Sequence, residues 1–231
     1  MIARHEQEQM RAFEEMLEGK PFRMRQLVGF AAQALLDPFR MVLLYMPGAA
    51  GYGMRRMAYR RIFQRLGKNC ILDIGLRVSG GKNIAVDEYT YIDAYAKLFG
   101  LFGPITIGKR VHLAPYSVIA AGPQGVTIED YASVATGAHI YGHTNLAKDG
   151  KRLSGMMIPW RYKAYKQGPV VLEKDSGVAE YSIVLPGVTI GEGALVGPHS
   201  VVYGDIPPWT IAMGNPARVI AHREKVSVPD C

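Results

Sequence analysis

Cysteine is scarce in this chain of 231 residues, which has only Cys70 and the last residue, Cys231. Two isolated cysteines build no disulfide framework, and without a C-x-x-C pair they offer no common type of zinc site. This scarcity is typical of a reducing compartment. The first ten residues, MIARHEQEQM, lack the basic and then apolar pattern of a secretory signal peptide. We therefore expect a cytoplasmic protein.

Long hydrophobic runs are missing as well. The apolar stretches Leu27–Leu36 and Met41–Met46 are separated by the charged break Asp37-Pro38-Phe39-Arg40. Neither stretch reaches the roughly 20 residues that a membrane-spanning helix needs. The sequence therefore predicts no membrane span.

Positive charge is concentrated at one end of the chain. Residues 1–69 contain 12 Lys/Arg and 6 Asp/Glu, a net charge of +6, whereas residues 70–231 contain 15 and 14, a net charge of +1. Within this basic part, Met54–Leu66 reads as a helix with five arginines. Two interpretations stay open: a helical cap on the rest of the fold, or a surface of residues 1–66 that contacts anionic lipid at the inner face of the membrane. We expect no nucleic acid partner, because no known binding module surrounds the arginines.

A six-residue period dominates the second half of the sequence. Aliphatic residues recur at Val178, Val184, Ile190, Val196 and Val202, and small or β-branched residues follow four places later at Ser182, Val188, Ala194 and Ser200. Neither a helix nor an ordinary strand has this period. It is typical of a solenoid in which each repeat is one short strand and one corner, with the aliphatic residue pointing inward.

The same register extends upstream. The aliphatic position is occupied by Val86, Ile92, Ile107, Leu113, Ile119, Ile128, Val134 and Ile140. A β-sandwich would show irregular spacing between strands, so the sequence favours an all-β solenoid, a parallel β-helix over residues 70–204. An extruded loop, residues 144–168, interrupts the period. Residues 1–69 are expected to form a helical segment, and residues 205–231 a tail that packs on the solenoid.

Three motifs carry a family resemblance. LPGVTIG at 185–191, DIPP at 205–208 and GNPARVI at 214–220 resemble the left-handed β-helix acyltransferases with hexapeptide repeats, in particular their sugar and polysaccharide O-acetyltransferase branch. The resemblance covers roughly Ile71 to Arg223. It implies left-handed coiling, acetyl-CoA as the acyl donor, and a homotrimer whose active sites lie between two subunits.

The resemblance also implies a catalytic residue. In this family a catalytic histidine ends a coil just before an extended loop, and His143 stands at that place, ahead of residues 144–168. A histidine suits the role of general base because its ordinary pKa lies near physiological pH. His139, four residues earlier, is the rival candidate. Together with His112, these two histidines are the candidate set for a three-histidine zinc site like that of the γ-class carbonic anhydrases. The pattern supports this alternative only weakly, and we expect no metal.

Motif matching implies where the cofactor would bind. The residues along the pantetheine groove would be Ala179, Glu180, Gly197 and Pro198. Arg218 would meet the phosphates, a role that suits the guanidinium group. The sequence departs from the family at Gly177, where a tryptophan is common, and at Tyr203-Gly204, where a Thr-Lys pair is usual. We therefore expect the cofactor to be held differently at this end.

The sequence identifies the residues that would bind the acceptor less clearly than those for the cofactor. The family's acceptor-binding asparagine has no convincing match near Ala114, which makes small galactosides less favoured. A larger glycan, or a nucleotide- or lipid-linked sugar, would bind through the aromatic residues of the loop, Trp160, Tyr162 and Tyr165. We predict acetyl-CoA-dependent O-acetylation of a sugar hydroxyl in cell-surface glycan synthesis. The alternatives are N-acetylation of a nucleotide-linked amino sugar and a non-catalytic solenoid scaffold.

Overall fold

A computed structural model describes residues 11–21, 37–153 and 158–228 and shows a parallel β-solenoid of about six turns. The predicted fold class is confirmed. Each coil contributes one short strand to each of three sheets, which we name A, B and C. Within these ranges, residues 11–17 are helical, and two further α-helices precede the solenoid, α1 (Asp37–Tyr45) and α2 (Gly48–Ile62).

The strands of the three sheets are as follows. Sheet A contains β1 (Arg65–Leu66), β4 (Ile84–Val86), β7 (Ile105–Ile107), β10 (Val126–Ile128), β15 (Val170–Leu172) and β18 (Thr189–Ile190). Sheet B contains β2 (Ile71–Leu72), β5 (Tyr91–Ile92), β8 (His112–Leu113), β11 (Ser133–Val134), β16 (Gly177–Val178), β19 (Leu195–Val196), β21 (Thr210–Gly214) and β22 (Ala217–His222). Sheet C contains β3 (Arg77–Ser79), β6 (Lys97–Phe99), β9 (Val118–Ala120), β12 (His139–Tyr141), β17 (Ile183–Val184) and β20 (Val201–Val202).

The core is a stack of the aliphatic residues that the six-residue period predicts. In sheet B, for example, Val134 pairs with Leu113 on one neighbouring coil and with Val178 on the other. Every predicted aliphatic position from Val86 to Val202 is at most 1% exposed. The small residues four places later are buried to the same extent, because the corner leaves no room for a longer side chain. The prediction of the core is confirmed.

Left-handed backbone occurs at all three corners of the solenoid. The corner between sheets B and C places one such residue on each coil, and we name these residues the B–C column: Gly75, Tyr95, Tyr116, Gly137, Tyr181 and His199, with φ between 54° and 70°. This conformation is unfavourable for a bulky residue. Stacking along the column offsets part of the cost, since the Tyr95 and Tyr116 rings lie 5.3 Å apart between centroids with planes 6° apart.

Helix α2 covers the open end of the solenoid. Along the stack, backbone N–H groups of one coil donate to carbonyls of the next, as Ile71 does to Thr90. Those carbonyls of the first coil that point away from the stack, such as the carbonyls of Leu72 and Leu76, therefore have no preceding coil to bond them. Side chains of α2 replace it: Arg55 Nε donates to the Leu72 carbonyl at 2.7 Å, and the Tyr59 hydroxyl donates to the Leu76 carbonyl at 2.9 Å.

The bounds of α2 differ from the helix Met54–Leu66 that the sequence suggested. The helix begins at Gly48 and ends at Ile62, and Phe63 is already extended. The reason is that Gln64 donates its N–H to the Ile84 carbonyl, which draws the following residues into sheet A. In the described part of the chain, no helix combines the length and apolar character needed to cross a bilayer.

The loop and the tail are both built on strands. The loop leaves and returns as an antiparallel ribbon of β13 (His143–Asn145) and β14 (Tyr165–Gln167). The tail adds β21 in parallel to β19, and β22 then folds back on β21.

Candidate active site

His143 lies at the corner between sheets C and A, where the loop leaves the solenoid. Its Nδ1 atom is 3.1 Å from the carbonyl oxygen of Ala121, and its ring contacts the Phe102 ring edge to face at 5.1 Å between centroids. A carbonyl oxygen only accepts, so Nδ1 carries the proton and the Nε2 lone pair is left as the acceptor. Burial lowers the pKa of His143, and the hydrogen bond to Ala121 opposes this shift. His143 thus has the neutral form and tautomer of a general base.

Glycines give the backbone around His143 its close packing. A Cβ atom at Gly122 would overlap the carbonyl group of Gly142 and would lie 3.3 Å from the His143 Cβ atom. Gly142 in turn donates its N–H to the Ala120 carbonyl at 2.8 Å. The position of His143 therefore depends on neighbours without side chains.

His139, the rival candidate, faces outward from sheet C. Its Nδ1 atom lies 3.1 Å from the hydroxyl oxygen of Tyr141. Burial, and then the charge of Lys97, lower the pKa of His139. Because Ile140 between them points into the core, His139 and Tyr141 share the outer face of the sheet.

These two residues line a groove on the outer face of sheet C. The groove has a volume of about 540 Å³, and its polar and aromatic lining includes Arg77, Lys97, Tyr116, His139, Tyr141 and Tyr181. Arg77 and Lys97 are register partners on adjacent coils, so two positive charges lie side by side. Neither the six-residue period nor the family motifs predicted Arg77, Lys97 and the tyrosines as site residues. A search for side chains next to each inward aliphatic residue would have found Lys97, His139 and Tyr141.

The structure brings the predicted cofactor residues to one flank, the corner between sheets B and C. Ala179 and Glu180 turn this corner on one coil, and Gly197 and Pro198 turn it on the next, where His199 donates its N–H to the Glu180 carbonyl at 2.9 Å.

Arg218 extends the same flank. It lies on β22 opposite Met213, and a Cβ atom at Gly197 would come within 3.2 Å of the Met213 Cγ atom. Arg218 is exposed, and its Nη1 atom donates to the Ala217 carbonyl at 3.0 Å.

Within one chain, His143 and this flank stay apart. The flank lies at the edge of sheet C where its strands begin, and His143 follows the edge where they end. The structure therefore brings the predicted cofactor residues to each other but not to the predicted base.

The predicted acceptor residues are also divided. Tyr165 pairs with Asn145 and His143 pairs with Gln167, so Tyr165 and His143 share one face of the ribbon. Burial raises the pKa of Tyr165, as does the charge of Glu14.

The other two aromatic residues lie further along the loop. Tyr162 is exposed, with the guanidinium of Arg161 4.8 Å from its ring centroid. Trp160 begins a short 3-10 helix, and its side chain lies outside the part of the chain that the structure describes.

The three histidines of the zinc alternative do not converge within one chain. His112 faces outward from sheet B, where it stacks on Tyr91 at 5.3 Å and lies 3.5 Å from a carboxylate oxygen of Asp93. His139 lies on sheet C instead. Over residues 11–21, 37–153 and 158–228, no group of three or more His, Cys, Asp or Glu side chains could hold a metal ion.

Comparison with known proteins decides the family. No protein-family model matches the chain. The dTDP-4-amino-4,6-dideoxy-D-glucose acyltransferase of Escherichia coli is 33% identical over 163 residues, which cover 71% of this chain and 84% of that protein. The chain belongs to the hexapeptide-repeat acyltransferases. The predicted family and enzyme class are thereby confirmed.

Solved structures of this acyltransferase family agree. AntD, an N-acyltransferase from Bacillus cereus, was solved as a mutant with dTDP and coenzyme A; it is 30% identical, has a TM-score of 0.68, and the match covers 74% of this chain and 90% of AntD. Other AntD structures hold 3-hydroxybutyryl-CoA or dTDP-4-amino-4,6-dideoxyglucose. A hexapeptide-repeat acetyltransferase of Vibrio cholerae, solved with acetyl coenzyme A, is 21% identical with a TM-score of 0.52 over 92% of this chain and 98% of that one, which shows the fold alone. Coenzyme A or its thioesters are thus bound across these neighbours.

Proposed function

We propose that this acyltransferase transfers an acyl group from an acyl-CoA thioester to the amine of a nucleotide-linked amino sugar. The E. coli relative is named as an acyltransferase of dTDP-4-amino-4,6-dideoxy-D-glucose. AntD is an N-acyltransferase, and one of its structures holds dTDP-4-amino-4,6-dideoxyglucose and coenzyme A. The predicted O-acetylation of a sugar hydroxyl stays unconfirmed, and the alternative stated beside it, N-acylation, fits these relatives better.

The fixed tautomer of His143 is the observation that carries the mechanism. The neutral amine attacks the thioester carbonyl, a C–N bond forms and the C–S bond breaks. Nε2 of His143 takes the proton that the amine loses, and the departing thiolate of coenzyme A receives that proton, so the charges balance. The hydrogen bond to the Ala121 carbonyl keeps Nδ1 protonated throughout, since that oxygen can only accept.

The flank at the corner between sheets B and C is the proposed acyl-CoA site. Ala179, Gly197 and Pro198 offer small side chains on consecutive coils, and Glu180 lies between them at the same corner. Arg218 is exposed beside them and would pair with phosphate oxygens of the thioester substrate. This set remains a proposal carried by the motif match and by the common flank.

A complete site on this plan needs two copies of the chain. His143 and the acyl-CoA flank lie on opposite edges of sheet C, so the flank of one copy would meet His143 of another. A homotrimer meets this need, because a threefold arrangement repeats such a heterologous contact three times and closes.

The acceptor chemistry is tested directly with purified full-length enzyme and acetyl-CoA. With dTDP-4-amino-4,6-dideoxyglucose we expect release of the thiol of coenzyme A and a product one acetyl group heavier. dTDP-6-deoxyglucose, which has a hydroxyl in place of the amine, is the matched control and should give no product. Turnover of the hydroxyl sugar alone would restore O-acetylation, and turnover of neither sugar by folded enzyme would refute the proposal.

We also propose that the helical cap, α1 and α2, contacts an anionic membrane surface. Phe39, Met41 and Met57 are 64%, 62% and 61% exposed. Arg60 and Arg61 are exposed on the last turn of α2, in the part of the chain with a net charge of +6. Apolar side chains beside arginines match the boundary between acyl chains and headgroups.

Vesicle flotation tests this contact with the full chain. We expect binding to vesicles of phosphatidylcholine with phosphatidylglycerol, and loss of binding in the double variant Phe39→Glu, Met41→Glu. Val228→Glu is the control, because Val228 is 71% exposed on the tail, away from the cap. Equal binding to vesicles of pure phosphatidylcholine, or no effect of the double variant, would refute the contact.

A further inference from the structure

Two basic side chains lie side by side on the outer face of sheet C. Arg77 and Lys97 are register partners on the first two coils, and both are exposed. Among the residues that the structure describes, neither side chain has a hydrogen bond or an ion pair. Like charges directly opposite each other on paired strands are unfavourable. The pair is therefore suited to negative charge from outside the chain.

The same outward position is mostly aliphatic on the later coils. In register with the two cations it holds Val118, His139, Ile183 and Val201, and we name these six residues together the outward row. They point away from the core because the next residue of each strand is the inward one. Aliphatic side chains on an outer face favour contact with another protein surface over contact with water.

The proposed pairing of subunits turns sheet C towards the threefold axis. The acyl-CoA flank lies at the corner where sheet C begins, and His143 follows the corner where it ends. If each flank meets the His143 corner of the next copy, the three copies of sheet C form a closed triangle. Sheets A and B must lie outside this triangle, because it has the cross-section of only one solenoid. The outward row therefore faces the axis.

The triangle is narrow enough for long side chains to meet at its centre. One side of a coil contains about six residues, which span roughly 15 to 20 Å, so the axis lies about 4 to 6 Å from each sheet. This is about half the usual 10 Å between packed sheets. Lysine and arginine have long, flexible side chains that cover such a distance. Arg77 and Lys97 of three copies thus bring their positive charges together around the axis.

We propose that Arg77 and Lys97 of three copies together bind one phosphate-type anion on the threefold axis. This inference rests on the proposed function, because the active site shared between subunits sets the arrangement of the trimer. A tetrahedral oxyanion accepts hydrogen bonds from several sides at once, which suits a ring of guanidinium and ammonium groups. The anion also neutralises charges that would otherwise repel one another across the axis. The diphosphate of the acceptor nucleotide has the same chemistry, but it would occupy each chain separately.

The ratio of anion to chain tests the site. We expect calorimetric titration of the full-length enzyme with inorganic phosphate to give one site for every three chains, with the chain number measured by light scattering. Lys97→Met should weaken phosphate binding at least about tenfold, through loss of charge-assisted hydrogen bonds. Lys109→Met is the matched control. Lys109 is also an exposed lysine, but it lies at the corner between sheets A and B, opposite sheet C, so phosphate binding should not change.

The outcomes separate this inference from the proposed function. One phosphate per trimer, weakened in Lys97→Met and kept in Lys109→Met, supports the axial site even if no amino sugar is acylated. One phosphate per chain, displaced by dTDP, assigns the cations to the nucleotide and overturns the inference. A trimer that binds no phosphate also overturns it, as does an enzyme that is monomeric in solution. In each of these cases N-acylation stands if the amino sugar is still a substrate.

Discussion

The Nδ1 atom of His143 and the carbonyl oxygen of Ala121 lie 3.1 Å apart, across two neighbouring coils. The contact fixes the ring and its tautomer at once, because the partner oxygen can only accept a hydrogen bond. A proton can then leave or arrive only at Nε2. The solenoid thus sets the tautomer of the proposed base through a backbone carbonyl.

Removing this base should slow the chemistry. We expect His143→Ala to lower kcat by about 10² to 10⁴, the range for loss of a general base. His139→Ala should change kcat far less, and His112→Ala, on sheet B, should leave it unchanged. Thiol release under saturating substrates measures this. The reverse order, with His139→Ala inactive and His143→Ala active, would transfer the role to His139.

The pKa of His143 should lie below the ordinary histidine value of about 6.5. Burial disfavours the charged ring, so the neutral form persists to lower pH. The unfolded chain then binds more protons just below pH 6.5, and the contribution of His143 to stability is lost as pH falls through that window. Titration of its ring protons by NMR, assigned with His143→Ala, checks this, and a value at or above 6.5 would contradict it.

Adding one methyl group at Gly122 should disturb the site. Gly122→Ala places a Cβ atom onto the Gly142 carbonyl, next to His143, so the two coils must separate. We expect a loss of about 1 to 3 kcal/mol in the free energy of unfolding and a lower kcat. Gly53→Ala is the control, since no atom lies within 4 Å of its added Cβ. Full activity and stability of Gly122→Ala would show that the packing is looser than described.

Arg55, on helix α2, should contribute to the stability of the fold. It is fully buried and donates to the carbonyls of Leu72, Met46 and Leu43. Arg55→Met leaves these acceptors without their donor, and we expect a loss of about 2 to 4 kcal/mol in the free energy of unfolding. Urea denaturation measures it. Arg60→Met, exposed on the same helix, should stay within about 0.5 kcal/mol, and equal effects of the two changes would argue against the capping role.

Sites shared between subunits should show complementation. His143→Ala and Arg218→Ala subunits, each inactive alone, are expressed together so that they mix. If His143 and Arg218 come from different subunits, about a quarter of the sites in a randomly mixed trimer are intact. Specific activity of the mixture, beside each pure variant, measures this. A mixture as inactive as its components would place both residues in one subunit or remove the role of Arg218.

Much of the fold was predictable because each coil repeats a local rule. A residue such as Val134 must point inward, since its strand pairs with the coils on both sides and its position recurs every six residues. The interruption at 144–168 was predictable for the same reason, as a break in the rule.

The rest depends on contacts that the period does not encode. Arg55 and Tyr59 bond carbonyls 17 residues away in sequence, and nothing local marks them as partners. Lys97 and Tyr181 line one groove because strand and corner positions align across coils, and the aliphatic period does not mark these positions. Motif matching singled out His143 and the proposed acyl-CoA flank, but it could not show that one chain keeps them on opposite edges of sheet C.

The helix over the first coil has a further consequence. A bare row of carbonyls at the end of a stack would accept the N–H groups of another copy, and repeated addition of this kind builds fibres. Arg55, Arg56 and Tyr59 occupy that row instead. A chain that lacks residues 1–63 would keep every coil and yet lose the barrier to end-to-end aggregation.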